Sequence, residues 1–112
     1  MEILENQKDG VIIIEIEGEL NLMSAEAVKE CFEKYIKQKS YRIILDFLKL
    51  EFMDSTGIGL IIEMSNRLKQ LNGNLVIVNM NSDVKNLFGI ANLLEILKHF
   101  KTIQEAEEFF QK

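Results

Sequence analysis

The sequence predicts an α/β domain: a mixed, mostly parallel β-sheet with packed helices, in the order ββαβαβα(β)α. Three observations predict it. Two short apolar runs, "RIILDF" at 42–47 and "LVIV" at 75–78, read as strands covered on both faces. Stretches of helical periodicity follow each run, the alternation that builds a parallel sheet. Finally, Asp9-Gly10 lies between two β-prone segments and signals a hairpin, which adds an antiparallel edge strand. With 112 residues, 47% hydrophobic and 28% charged, the chain is expected to form a single domain over residues 1–112.

Taken in order, residues 2–6 and 11–17 form the hairpin strands, with Ile14 and Ile16 facing one way and Glu15 and Glu17 the other. Ser24 is expected to cap a helix whose apolar positions, Val28, Cys31, Phe32, Tyr35 and Ile36, form one face. That stripe makes Cys31 a buried structural thiol rather than a reactive one. Strand 42–47 follows, then a loop through Leu50 and Met53. A long helix is expected over about 56–71, with Ile58, Ile61, Ile62, Met64, Leu68 and Leu71 inward and Asn72-Gly73 as its C-terminal stop. After strand 75–78, Ser82 caps a short helix carrying Val84, Leu87 and Phe88. "EILKHF" reads as a weak edge strand. Thr102-Ile103-Gln104-Glu105 is a capping box opening a last helix, with Ile103, Ala106, Phe109 and Phe110 inward.

Composition excludes several function classes. The net charge is −5, and no lysine- or arginine-rich run offers the basic face that a nucleic-acid phosphate backbone requires. Lys34, Lys37, Lys39 and Arg42 gather at a helix end, where cations complement the macrodipole. A single cysteine permits neither an internal disulfide nor a cysteine-based zinc site, and the lone histidine, His99, has no metal-binding companion nearby in sequence. No metal, cofactor or catalytic residue is expected. Without a long apolar run or a secretory signal, the chain is expected to be cytoplasmic and not inserted in a membrane.

Right-handed crossovers bring the loops at the carboxyl ends of parallel strands to one edge. Those loops are 18–23, 48–55 and 80–82, and such an edge is where open α/β sheets meet ligands and partners. On it lies "FMDSTGIGLII", residues 52–62. Asp54, Ser55 and Thr56 there supply more capping groups than one helix needs. Four readings compete: a helix cap by one hydroxyl, a phosphate-cradling loop, a nucleophilic serine, and a serine that is phosphorylated. "GIG" lacks the third glycine of the dinucleotide fingerprint and no Gly-Lys-Ser/Thr follows. The nucleophile elbow needs glycine where Met53 stands, and only the distant His99 could serve as base. Phosphoserine at a helix N-terminus leaves the helix intact while adding about 1.5 to 2 negative charges to the surface.

"GELNLMSAE" (18–26), "RIILDF", "FMDSTGIGLII" and "LVIVNMNSDVKNLF" (75–88), in that order and spacing, resemble the bacterial anti-sigma factor antagonists, the single-domain STAS proteins. The resemblance covers nearly the whole chain, and its most specific part is Asp54-Ser55-Thr56-Gly57. It implies a STAS-like fold and a partner switch rather than an enzyme. In the family, the unphosphorylated antagonist binds an anti-sigma factor serine kinase and frees a sigma factor. Phosphorylation releases it, and a serine phosphatase resets it. Ser55 is the implied phosphoacceptor, and Thr56 a lesser candidate for modification. Asp54 is implied to orient the Ser55 hydroxyl or the kinase, Gly57 and Gly59 to keep the helix start accessible and close-packed. Asn21, Met23 and Ser24 would complete the partner-binding surface. Many members carry aspartate where this chain has Asn21, which removes a charge toward the partner. The alternative is a STAS subunit that docks on a membrane transport ATPase or another regulatory complex without being phosphorylated.

Overall fold

Asp9 and Gly10 both have positive φ, 52° and 78°, the pair of angles that a type I′ turn requires. They join β1 (Glu2–Lys8) to β2 (Val11–Leu20) in antiparallel register, from Glu2 opposite Glu17 to Lys8 opposite Val11. The structure, a computed structural model, describes residues 1–111. It continues through α1 (Ala25–Lys37), β3 (Arg42–Asp46), β4 (Leu50–Met53), α2 (Ser55–Gln70), β5 (Asn74–Val78), α3 (Ser82–Ile90), β6 (Lys98–Phe100) and α4 (Ile103–Gln111). The main sheet runs β1-β2-β3-β5-β6, and every pair after the hairpin is parallel.

Both faces of this sheet are covered, which is why its central strands are apolar throughout. Ile12, Ile14, Ile16, Ile43 and Leu45 pack with Val28, Phe32, Ile61, Met64, Leu68 and Phe88 from α1, α2 and α3. On the opposite face Val11, Ile13, Ile44, Val76 and Val78 pack with Ala106 and Phe110 of α4. The period-2 alternation of a strand divides "VIII" between the two cores. Burying one such side chain is worth about 1.5–3 kcal/mol. The α2 helix stops as expected: Asn72 has φ 62°, and the N–H groups of Asn72 and Gly73 donate to the carbonyls of Lys69 and Leu68 at 3.1 and 2.7 Å. This is the double closure of a Schellman motif.

Three local expectations are corrected. The segment expected as a loop through Leu50 and Met53 is strand β4, which pairs in parallel with the end of β2, Leu20 opposite Met53, beyond a register shift at Gly18/Glu19. Leu50 and Met53 are buried while Glu51 and Phe52 are exposed, a pattern without alternation that only tertiary pairing turns into a strand. Ser24 does not cap α1 through its side chain. Its hydroxyl oxygen instead accepts the Asn21 N–H at 2.9 Å, while Asn21 Oδ1 accepts the N–H groups of Met23 and Ser24 at 2.9 and 3.2 Å. That is a reciprocal capping box begun three residues early, with Asn21 in the capping role. Likewise Asn81, not Ser82, caps α3, its Oδ1 accepting the Val84 N–H at 2.8 Å.

Candidate functional site

Since β2, β3, β4 and β5 run parallel, their carboxyl ends lie at one edge, and polar side chains lash the loops there together. Asp46, only 5% exposed, accepts the Leu48 N–H at 3.0 Å and the Asn79 carboxamide at 2.9 Å. A buried carboxylate is tolerated where donors satisfy it. Asn81 spans the same loops from the other side, its Nδ2 donating to the Leu50 carbonyl at 3.0 Å while Oδ1 caps α3. The β5–α3 loop is thereby fixed to the β3–β4 connection.

The start of α2 is fixed more tightly. The Asp54 N–H donates to the Leu20 carbonyl at 3.2 Å. Asp54 is extended, and its Oδ1 accepts the N–H groups of Thr56 at 2.9 Å and Gly57 at 3.3 Å. The carboxylate is therefore the N-cap, and neither hydroxyl is needed for it. It also occupies the donors that a bound phosphate would need, which argues against a phosphate-cradling loop. At Gly57 a Cβ would lie 2.8 Å from Met53 Cγ and 2.9 Å from Leu20 Cγ. Only glycine lets the first turn of α2 seat against the ends of β2 and β4. Gly59 is different: it is exposed, and a Cβ there would meet nothing within 4 Å. Close packing, expected of both glycines, belongs to Gly57 alone.

Ser55 is thus the first residue of a 16-residue helix, exposed, and among the described residues its hydroxyl makes no hydrogen bond within the chain. Thr56 is half-buried. Because Leu20 pairs with Met53, the turn holding Asn21, Met23 and Ser24 leaves the sheet beside Asp54 and Ser55. The Ser24 hydroxyl ties that turn back to the Glu19 carbonyl at 2.7 Å. The structure therefore brings the expected site residues to one edge. The nearest preceding cation, Lys49, is paired with Glu17 at 3.2 Å, and this bond raises its pKa above the usual lysine value.

Sequence reading missed Leu22, Leu48 and Phe52, three exposed apolar side chains on the same edge. An adjacent Leu22-Met23 pair inside a polar turn was the available signal. His99 is remote: it lies in β6, three strands from β2, or roughly 14 Å of sheet at the ~4.8 Å strand spacing. Its Nε2 lies 3.1 Å from the Leu94 carbonyl, and no Ser55–His99 pair forms. Among the described residues no cluster of His, Cys, Asp and Glu could hold a metal ion, and no helix is long and apolar enough to cross a membrane. An exposed primary alcohol with no histidine beside it can be modified by an outside catalyst, and the helix behind it holds it in place.

The family model of the STAS domain matches residues 2–106. The sequence is 30% identical over 98 residues to the anti-sigma-B factor antagonist of Listeria monocytogenes, covering 88% of this chain and 85% of that one. The crystal structure of a candidate anti-sigma factor antagonist from Thermotoga maritima matches with a TM-score of 0.94 at 26% identity, over 98% of this chain and 95% of the other. The phosphorylated form of the Bacillus cell fate determinant SpoIIAA shares the fold with a TM-score of 0.76 at 23% identity, over 97% and 99% of the two chains.

Proposed function

The chain belongs to the STAS domain family, and on that premise we propose that it is an anti-sigma factor antagonist whose binding is switched by phosphorylation of Ser55. Unphosphorylated, it binds an anti-sigma factor and so frees a sigma factor. The anti-sigma factor is a serine kinase; it transfers phosphate to the Ser55 hydroxyl and the complex dissociates, until a serine phosphatase resets the chain. The observation that carries this reading is the division of labour between Asp54 and Ser55. The carboxylate alone caps α2, which leaves the exposed hydroxyl without a structural task.

Supporting it further, the Leu20–Met53 pairing and the Ser24–Glu19 bond hold the turn of Asn21, Met23 and Ser24 near the start of α2, where Asp54 and Thr56 flank the serine, while Gly57 is buried beneath them. A phosphate at this helix start need not unfold the helix, so the change falls on what the surface can bind. Such a surface acts in the cytoplasm, where sigma factors meet polymerase.

A pull-down from the native organism tests the reading. Wild type and Ser55→Asp are immobilised with ADP or ATP, captured proteins are identified by mass spectrometry, and phosphate is mapped on the bait. The expected result is an ATP-binding anti-sigma factor held by wild type in ADP, lost by Ser55→Asp, with phosphate on Ser55 in ATP. Capture of a transport ATPase by both baits, with Ser55 unmodified, would replace the switch with a docking subunit.

A further inference from the structure

A cavity of about 780 Å³ opens where β5 and β6 end, and Ser55 is not among the residues that line it. Its volume lies in the range of small-molecule sites. The loop along one side is already tied down. Asn79, in the left-handed region at φ 60°, donates its carboxamide to the buried Asp46, and Asn81 donates to the Leu50 carbonyl. Leu48, Met80 and Phe100 form an apolar wall. Leu48 is 64% exposed and belongs to neither hydrophobic core, so the cavity is where its side chain has a surface to offer.

The charge on this cavity is opposite to that of the chain. Lys85 of α3 and Lys101, ahead of α4, both line it. Among the described residues neither forms an ion pair, whereas Lys8, Lys34, Lys49 and Arg67 each have a carboxylate partner. Glu105 lines the cavity too and opposes them, its carboxylate accepting the Thr102 hydroxyl at 3.3 Å. Two ammonium groups against one carboxylate leave a positive excess in a protein whose net charge is −5. The other polar groups are engaged. His99 turns Nε2 to the Leu94 carbonyl, Asn81 caps α3, and the Thr102 hydroxyl caps the Glu105 N–H. Recognition of a ligand therefore falls to the two lysines.

We propose that this cavity binds a small phosphomonoester, its phosphate held by Lys85 and Lys101 and its apolar body laid against Leu48, Met80 and Phe100. The donor set selects the anion. Among the described residues no arginine lines the cavity, so the planar fork that matches a carboxylate is missing. Separate ammonium groups act as point charges and suit a phosphate, which carries about two charges and three free oxygens. The apolar wall selects an ester over the bare ion.

Phenyl phosphate is the probe, titrated into the isotope-labelled full chain and followed by amide NMR shifts. Phenol, inorganic phosphate and benzoate are titrated beside it. Saturable shifts are expected at Leu48, Met80, Phe100 and Lys101, with a Kd of about 1 mM or tighter, and each of the other three compounds should bind more weakly. Lys85→Ala and Lys101→Ala should each weaken phenyl phosphate about fivefold, the upper end for an exposed ion pair, while Lys49→Ala, outside the cavity, leaves it unchanged. Glu105→Gln keeps the capping box, since glutamine also serves at that position, and removes the opposing charge. It should tighten binding by about two- to fivefold. Shifts that fail to saturate, or an affinity that both lysine variants leave unchanged, would overturn the site. Phenol binding as tightly as phenyl phosphate would overturn the role of the lysines, and benzoate doing so would overturn the choice of phosphate.

Discussion

The Leu20 carbonyl accepts the Asp54 N–H at 3.2 Å, and two residues of backbone thereby join the end of β2 to the cap of α2. This bond and the cap beside it fix the chain on the N-terminal side of Ser55, as the core packing of α2 does on the other. Asp54 holds the N–H groups of Thr56 and Gly57, while among the described residues the serine hydroxyl holds nothing.

The two side chains should therefore separate cleanly in a stability measurement. Asp54→Ala is expected to destabilise by about 1 kcal/mol, the cost of a lost N-cap, and to lower Tm by roughly 5 °C. Ser55→Ala should change stability by no more than about 0.5 kcal/mol. Denaturant unfolding of both variants checks this. Equal losses would mean that the hydroxyl shares the cap, and the serine would no longer be free for modification.

The two glycines of the motif are expected to respond with opposite signs. An alanine methyl at Gly57 meets Met53 Cγ at 2.8 Å and the Leu20 carbonyl oxygen at 3.0 Å. Overpacking of this kind costs about 1–3 kcal/mol, and the strain falls on the Leu20–Asp54 junction, so partner affinity should drop with stability. At Gly59 the added methyl meets open space. Gly59→Ala should stabilise by about 0.5–1 kcal/mol, since glycine is a poor helix former. Calorimetric Tm values for the two variants decide it.

Periodicity made the hairpin, the central strands and the four helices legible, because Asp9-Gly10, "RIILDF", "LVIV" and the helical stripes each encode their own environment. The edge on which the site lies followed from crossover handedness alone. What stayed hidden was tertiary in origin. β4 exists because Leu50–Met53 meets the end of β2 beyond a bulge, and nothing local in "LEFM" alternates. The capping assignments failed for a different reason. Serine, aspartate and asparagine are near-equal N-caps, so Asp54-Ser55, Asn21…Ser24 and Asn81-Ser82 each offered two candidates. Backbone position selected the acidic or amide member for α2 and α3, and at residue 55 that selection left the hydroxyl exposed and outside the cap, as the proposed switch requires.

Cys31 should be inert while the chain is folded. Burial, and next the negative charge of Glu5, push its thiol up to about 11. At pH 8 roughly one thiol in a thousand is then ionised, and the thiolate is the reactive species. A thiol-specific disulfide reagent is expected to label Cys31 only at the rate of opening, and to react fully in denaturant. Rapid labelling of the native chain would show that α1 leaves β1 readily.

That contact between α1 and β1 carries its own pH dependence. Glu5 accepts hydrogen bonds from Lys34 and from the Tyr35 hydroxyl, and the Lys34 bond, then the Tyr35 bond, hold its carboxyl below the ordinary value of 4.5. The unfolded chain therefore takes up this proton first as pH falls. The stabilisation from Glu5 is fully present above the unfolded value and is lost as pH drops through the lower, native one. Because the pair is largely solvent-exposed, the contribution is that of a surface bridge and modest. Glu5→Gln should unfold at lower denaturant than wild type at pH 7, with the gap unchanged down to about pH 5.5 and closing toward pH 3. Tyr35→Phe removes a donor to the carboxylate, so the same gap measured in that background should be smaller. A gap that widens on acidification would show that the carboxyl is held protonated in the fold, contrary to the bonds it accepts.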